Sequence, residues 1–259
     1  MSDIKQPNVA GLFYPLDSKE LYDFLDKQFL SKDTINSLTH PKAIIAPHAG
    51  YIYSASVAIE AYRHIPKETK RIAILSPTHY YQLDKLAYHP ANYFRTPLGD
   101  ITVDQAILEK LDKFIQVECI PEAFEKEHAL EVHLPFLQYW LKEFTLTPLI
   151  VGQCSPEEVK EVIDLLVKND TFIIISSDLS HFHSYEQAQE LDEKTKLKIE
   201  SLDFKNLNHN DACGYFPLRG LLLYAKEKGL SCETLEMKNS GDTAGDKSRV
   251  VGYGSYAII

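Results

Sequence analysis

Apolar residues in this chain follow two rhythms. Short runs, Ala43 to Ala46, Arg71 to Leu75, Phe144 to Val151 and Thr171 to Ile175, have the length of strands buried on both faces. Between them, apolar positions recur at three- and four-residue spacing. Leu21, Phe24, Leu25 and Phe29 follow Asp17, which reads as a helix start with Glu20 completing a capping box. Ile52 to His64 is a second helix, closed near Pro66, and Asp104 caps a third that carries Ile107, Leu108, Leu111, Phe114 and Ile115 on one face. Ser155-Pro156-Glu157-Glu158 starts a fourth, with Val159, Val162, Ile163 and Leu166 as its buried stripe. A charged helix spans Glu186 to Leu202, and an apolar one, Pro217 to Lys228, stops at Gly229. Leu230 to Met237 and Val250 to Ile259 are the last strands, with a polar loop at Asn239 to Ser248 between them. Tyr80 to Thr102, broken by Pro90, Pro97 and Gly99, reads as a loop or short hairpin, and Glu127 to Trp140 as helical in part.

Strands alternating with helices predict an α/β fold, a mixed central sheet with helices on both faces. No linker, repeat or low-complexity stretch divides residues 1–259, so one domain is expected. In open α/β sheets, sites lie beyond the carboxyl ends of strands. Three of the predicted strands end there in ligand-type residues: Pro47-His48, Pro77-Thr78-His79 and Ser177-Asp178-Leu179-Ser180-His181.

The totals narrow the function. A net charge of −10 argues against nonspecific binding to nucleic acid or to an anionic membrane. Residues 1–10 lack a signal-peptide pattern and no apolar run reaches the ~18 residues of a membrane span, so a cytoplasmic protein is expected. Cys119, Cys154, Cys213 and Cys232 are widely spaced, which disfavours a disulfide framework or a zinc knuckle.

The strand-end residues carry the candidate chemistry. One strand-end histidine is ordinarily structural, fixing a turn; His48 and His79 in matching contexts on neighbouring strands would reach one ion. Asp178 either caps a turn or accepts from an imidazole N–H and orients it. His181 either packs or acts as ligand or acid/base, and His183 is read as exposed. In Glu127-His128-Ala129-Leu130-Glu131-Val132-His133, the histidines stand five apart and miss the i, i+4 zinc spacing; His128 and Glu131 can share a helix face. His128 is read equally as catalytic wall or solvated face. Cys213, in Asp211-Ala212-Cys213-Gly214 before an apolar helix, is either a small hydrophobe or a thiol whose pKa the helix N-terminus lowers. The other three cysteines are read as structural.

Five separated motifs, Ala-Pro-His-Ala-Gly-Tyr at 46–51, Ser-Pro-Thr-His at 76–79, Glu-His-Ala-Leu-Glu-Val-His-Leu-Pro-Phe at 127–136, Ser-Ser-Asp-Leu-Ser-His at 176–181 and Ala-Cys-Gly at 212–214, resemble the Memo family. Its bacterial and archaeal members are called AmmeMemoRadiSam system protein B. The lead-in Val-Ala-Gly-Leu-Phe-Tyr-Pro and the tail from Asn239 are similar to it as well. The resemblance implies a fold like that of class III extradiol ring-cleaving dioxygenases, which hold iron with two histidines and a carboxylate and use a further histidine as acid/base. It implies His48, His79 and Cys213 as metal ligands, with Cys213 where the carboxylate would be expected, and His181 as the acid/base. It also implies association with radical-SAM and AMMECR-type proteins.

Three functions are therefore weighed. The first is a redox enzyme using iron or copper at His48, His79 and Cys213, with Asp178 orienting the ligands, His181 as acid/base and His128 as a catalytic wall. The second is a protein that binds a peptide or small molecule without turnover, motivated by Tyr80, Tyr81, Tyr88, Tyr93 and Phe94 near His79. The third is metal-assisted hydrolysis, with zinc as the ion and Glu131 activating water.

Overall fold

The computed structural model describes residues 3–31 and 41–259. The first half contains β1 (Ile4–Lys5), α1 (Ser18–Leu30), β2 (Ala43–Ala46), α2 (Tyr51–Tyr62), β3 (Arg71–Pro77), β4 (Leu86–Tyr88), β5 (Tyr93–Thr96), β6 (Gly99–Val103), α3 (Gln105–Leu111) and β7 (Val117–Cys119). Two 3₁₀ turns, Pro121–Phe124 and Glu131–His133, precede α4 (Leu134–Trp140). The second half adds β8 (Thr145–Val151), α5 (Pro156–Lys168), β9 (Phe172–Ser176), β10 (His181–His183), α6 (Tyr185–Glu200), α7 (Tyr215–Lys228), β11 (Cys232–Asn239), α8 (Ser240–Thr243) and β12 (Val250–Ile258).

The strands form one mixed sheet whose main path runs β1-β5-β6-β8-β3-β9-β2-β12-β10. At its centre β8, β3, β9 and β2 are parallel, and β12 closes antiparallel on β2. Every residue of β2 and β9 is buried, as their unbroken apolar runs require of strands covered on both faces. Helices α5 and α7 pack together against β3 and β9, while α2 lies on β2, β11 and β12 with α1 and α4 stacked on it. The contact between α5 and α7 is close because Gly220 lacks a Cβ, which would lie 2.3 Å from a Val159 methyl.

The local signals hold where they are specific. Asp17 accepts from the backbone N–H groups of Lys19 and Glu20 at the start of α1, but Glu20 does not return a bond to the Asp17 N–H, so only half of the expected capping box forms. Ser155 and Glu158 form the complete capping box of α5, and Gly229 ends α7 at φ 67°. Other expectations shift. α3 ends at Leu111, since the chain turns there into β7, and Ile115 is 91% exposed instead of sharing the buried stripe. The stretch from Tyr80 to Thr102 contains β4, paired with β7 and β8, and a β5–β6 hairpin. Phe94 is therefore buried at the hairpin and the Tyr88 hydroxyl bonds Asp112, so neither joins an aromatic rim at His79.

Candidate metal centre

His48 and His79 do not come from adjacent strands. They follow β2 and β3, which flank β9 on its two sides, and the site is closed over the end of β9. That end is Ser176. Its hydroxyl donates to the Ala129 carbonyl at 2.7 Å and lies 2.6 Å from His48 Nδ1. With its one proton given to Ala129, the hydroxyl accepts from His48 Nδ1–H, which leaves Nε2 as the unprotonated nitrogen. His79 is fixed in the same sense by Glu127. One carboxylate oxygen accepts from His79 Nδ1 at 2.9 Å and the other from the His79 backbone N–H at 2.6 Å. Backbone N–H groups of His128 and Ala129 add two bonds at 2.9 Å.

Cys213 reaches this point from the loop before α7. Its sulfur lies 3.3 Å from His48 Nε2 and accepts the Asp178 N–H at 3.2 Å. The approach depends on the next residue: a Cβ on Gly214 would sit 2.4 Å from the Ser176 carbonyl oxygen. Ser177 ties the loop down by accepting Gly214 N–H at 2.9 Å. Gly214→Ala is expected to lower stability by about 1–3 kcal/mol through overpacking and to weaken metal binding with it. Denaturant unfolding and a metal titration check both, and wild-type values for the pair would show that the close approach is dispensable.

One ligand atom each from His48, His79 and Cys213 lies within 4.8 Å of the others, and His79, Glu127 and His128 form a second such group. Two imidazoles with their outer nitrogens tied and one thiol converging on a point fit a first-row transition ion of borderline or soft character.

Asp178 sits elsewhere than on an imidazole N–H. Its carboxylate accepts the His48 backbone N–H at 2.8 Å and stands 3.9 Å from His48 Nε2. The carboxylate that orients a ring is Glu127, which the sequence reading passed over, as it did Ser176. His128 is not on a helix; its ring stacks on His79 at 4.9 Å and meets Phe13 at 4.8 Å. Glu131, expected to share a face with His128, points to the N-terminal segment, where it accepts from Asn8 N, Val9 N and the Tyr14 hydroxyl at 2.5, 2.9 and 2.6 Å. His133 is buried against the Tyr62 hydroxyl, and burial pushes its pKa down to about 3. His183 is half-buried in β10, paired with Val250.

His181 lies beyond β9 in a segment pinned to β12, where Leu179 N–H donates to the Gly252 carbonyl and Gly252 N–H to that of Ser180. Its Nδ1 donates to the Leu179 carbonyl at 2.8 Å, leaving Nε2 free. With His128, Asp178, Phe13, Tyr53 and Arg249 it lines a cavity of about 470 Å³.

Burial and neighbouring imidazoles hold His48 well below the usual histidine range. Burial lowers His181 and His128 too. For His79 burial acts the same way, but the bond to Glu127 and its charge outweigh it and raise the pKa. Burial pushes Asp178 up to about 7 against the backbone N–H bonds that favour its anion. The Cys213 thiol is raised, not lowered as the helix start suggested, because burial and the Asp178 charge outweigh the N–H groups on the sulfur. A cation between the imidazoles is what would stabilise the thiolate.

The arrangement defines an α/β protein with a His/His/Cys group at the carboxyl edge of a mixed sheet. The chain belongs to the Memo family: the family profile described as Memo-like protein matches residues 5–257. A MEMO1 family protein of Aquifex aeolicus is 35% identical over 267 residues, covering 96% of this chain and 97% of that protein. One from Sulfolobus acidocaldarius is 35% identical over 276 residues, with 96% and 97% covered, and one from Methanobrevibacter smithii is 31% identical over 277 residues, with 97% and 98% covered. An uncharacterized Escherichia coli K12 protein of known crystal structure shares the fold at a TM-score of 0.51 and 13% identity, across 83% of this chain and 99% of that one. Among the described residues no helix is long and apolar enough to cross a membrane.

Proposed function

We propose that this Memo-family chain binds iron or copper through His48 Nε2, His79 Nε2 and Cys213 Sγ and serves as an oxidoreductase for a small molecule held beside His128, Asp178 and His181. The observation that carries the reading is the convergence of those three donors within 4.8 Å with each imidazole's Nδ1 already engaged, by Ser176 and by Glu127. A thiolate in place of a carboxylate suits copper or changes the reactivity of iron, which also sets the site apart from ring-cleaving centres built on a carboxylate. The ion, when bound, would supply one-electron chemistry and a Lewis-acidic position.

The surrounding residues handle substrate and protons. His181, neutral at pH 7 because burial lowers its pKa, offers Nε2 as a base to whatever occupies the cavity. Asp178, with a pKa near 7, can hold or release a proton in the same space. His128 forms a wall against Phe13. Glu131 supports no hydrolytic role, since its oxygens are spent on Asn8, Val9 and Tyr14. Association with radical-SAM and AMMECR-type proteins belongs to the same proposal, resting on family resemblance.

Protein purified without oxygen is expected to carry close to one iron or copper per chain by elemental analysis. His48→Ala and Cys213→Ser should each remove most of it. Zinc alone in the wild type, or metal content untouched by both changes, would sink the proposal.

A further inference from the structure

The His/His/Cys group has a second cavity on its other flank. This one, of about 360 Å³, is reached by His79 and Cys213 and walled by Tyr80, Tyr81, Tyr215 and Phe216. It shares none of its lining with the cavity of His128, Asp178 and His181. The two differ in charge. The first holds Asp178, Asp246 and Arg249, whereas among the described residues no Asp, Glu, Lys or Arg lines the second.

We infer that the second cavity is a separate binding subsite for a neutral, single-ring aromatic molecule. Its size falls in the range of small-molecule pockets. Tyr215 and Phe216 lie with ring centroids 4.0 Å apart, and Tyr80 stands edge-on to His79 at 6.3 Å. Tyr80 is nonetheless 62% exposed and Tyr81 39%, so ring surface is left uncovered at the mouth, where an aromatic guest would cover it. Gln82 and Gln153 line the same space, and among the described residues neither side-chain amide has a partner within the protein. Paired donor and acceptor groups of this kind suit a hydroxyl or carbonyl on the guest. A carboxylate would lose its hydration there with no lysine or arginine among the lining residues to meet it.

The cavity is built, not a gap between loose loops. The Leu83 carbonyl accepts Gln153 N–H and the Lys85 carbonyl accepts Gly152 N–H, both at 2.8 Å. The loop after β3 lies so close on the end of β8 that a Cβ at Gly152 would be 2.2 Å from the Leu83 oxygen. Thr78 Oγ1 holds the turn by donating to the Tyr81 carbonyl at 2.7 Å. His79 and Cys213 border the cavity, but none of these framing contacts involves a metal, so the subsite is formed whether or not an ion is bound.

The test is calorimetric titration of the full chain, both metal-stripped and metal-loaded, with 4-methylphenol, 4-methylbenzoate and cyclohexanol. 4-Methylphenol should bind at least about tenfold more tightly than either of the others, in both preparations. Tyr80→Ala, at an exposed position, should weaken it about three- to tenfold, Tyr215→Ala should do the same, and Arg249→Ala in the other cavity should leave it unchanged. The inference is overturned by absence of saturable 4-methylphenol binding into the millimolar range, by equal or tighter carboxylate binding, or by sensitivity to Arg249→Ala in place of the two tyrosines. Binding in loaded protein alone would assign the ring to the metal centre and overturn the separate subsite.

Discussion

Replacing Glu131 by alanine is expected to destabilise the protein by about 3–6 kcal/mol, a large part of the ~5–15 kcal/mol that a folded domain commands. The carboxylate accepts from two backbone N–H groups, Asn8 and Val9, and from the Tyr14 hydroxyl. Val9 and Tyr14 are buried, and alanine leaves these donors without a partner away from water. The damage should spread to the site. The segment held by Glu131 carries Phe13, whose carbonyl accepts the first N–H of α2 and whose ring packs on His128. Urea unfolding measures the loss. A variant within about 1 kcal/mol of wild type would show that the N-terminal segment does not depend on this residue.

The second large effect is at Glu127. Glu127→Gln is expected to cost about 10- to 100-fold in metal affinity, the usual range for losing a partner that orients a ligating histidine. The amide cannot accept from the His79 ring while also meeting the N–H groups of His79, His128 and Ala129 that now converge on two carboxylate oxygens. A pH series separates this from simple destabilisation. His79 has a raised pKa because of Glu127, so a metal must displace its proton, and affinity in the wild type should fall as pH drops through that raised value. In the Glu127→Gln variant that proton is held less tightly, so the fall should begin at lower pH. An unchanged pH profile would remove Glu127 from its positioning role.

How much of this was legible in the sequence depends on which forces set each feature. Strands β2, β3, β8 and β9 declared themselves because burial on both faces leaves few polar positions to blur the run. Helix starts at Asp17 and Ser155 were equally readable, since capping is a local bond between residues close in sequence. The order of strands was not. Placing β9 between β2 and β3 is decided by crossovers, and it turned two supposed neighbours into strands flanking β9, whose Ser176 bonds His48. His128 and Glu131 were misread for another reason. A helical rule was applied to a segment that contains only a turn and a three-residue 3₁₀ helix before α4. Without helical periodicity, residues three apart need not share a face: His128 stacks on His79 while Glu131 holds the N-terminal segment.

The proposed ligand set would have a topological consequence. His48 and Cys213 are 165 residues apart in the chain and 3.3 Å apart in space. An ion shared between them, as proposed, would act as a removable cross-link that closes nearly two-thirds of the polypeptide into a loop. Closing so long a loop in an unfolded chain is entropically unfavourable, so the ion distinguishes the native state from the unfolded one and adds stability in proportion to the logarithm of its free concentration over its Kd. Occupancy and foldedness then rise together. The melting temperature should climb with added metal, and a core change such as Ile174→Ala, beneath the site in β9, should release the ion at a lower temperature without touching a ligand.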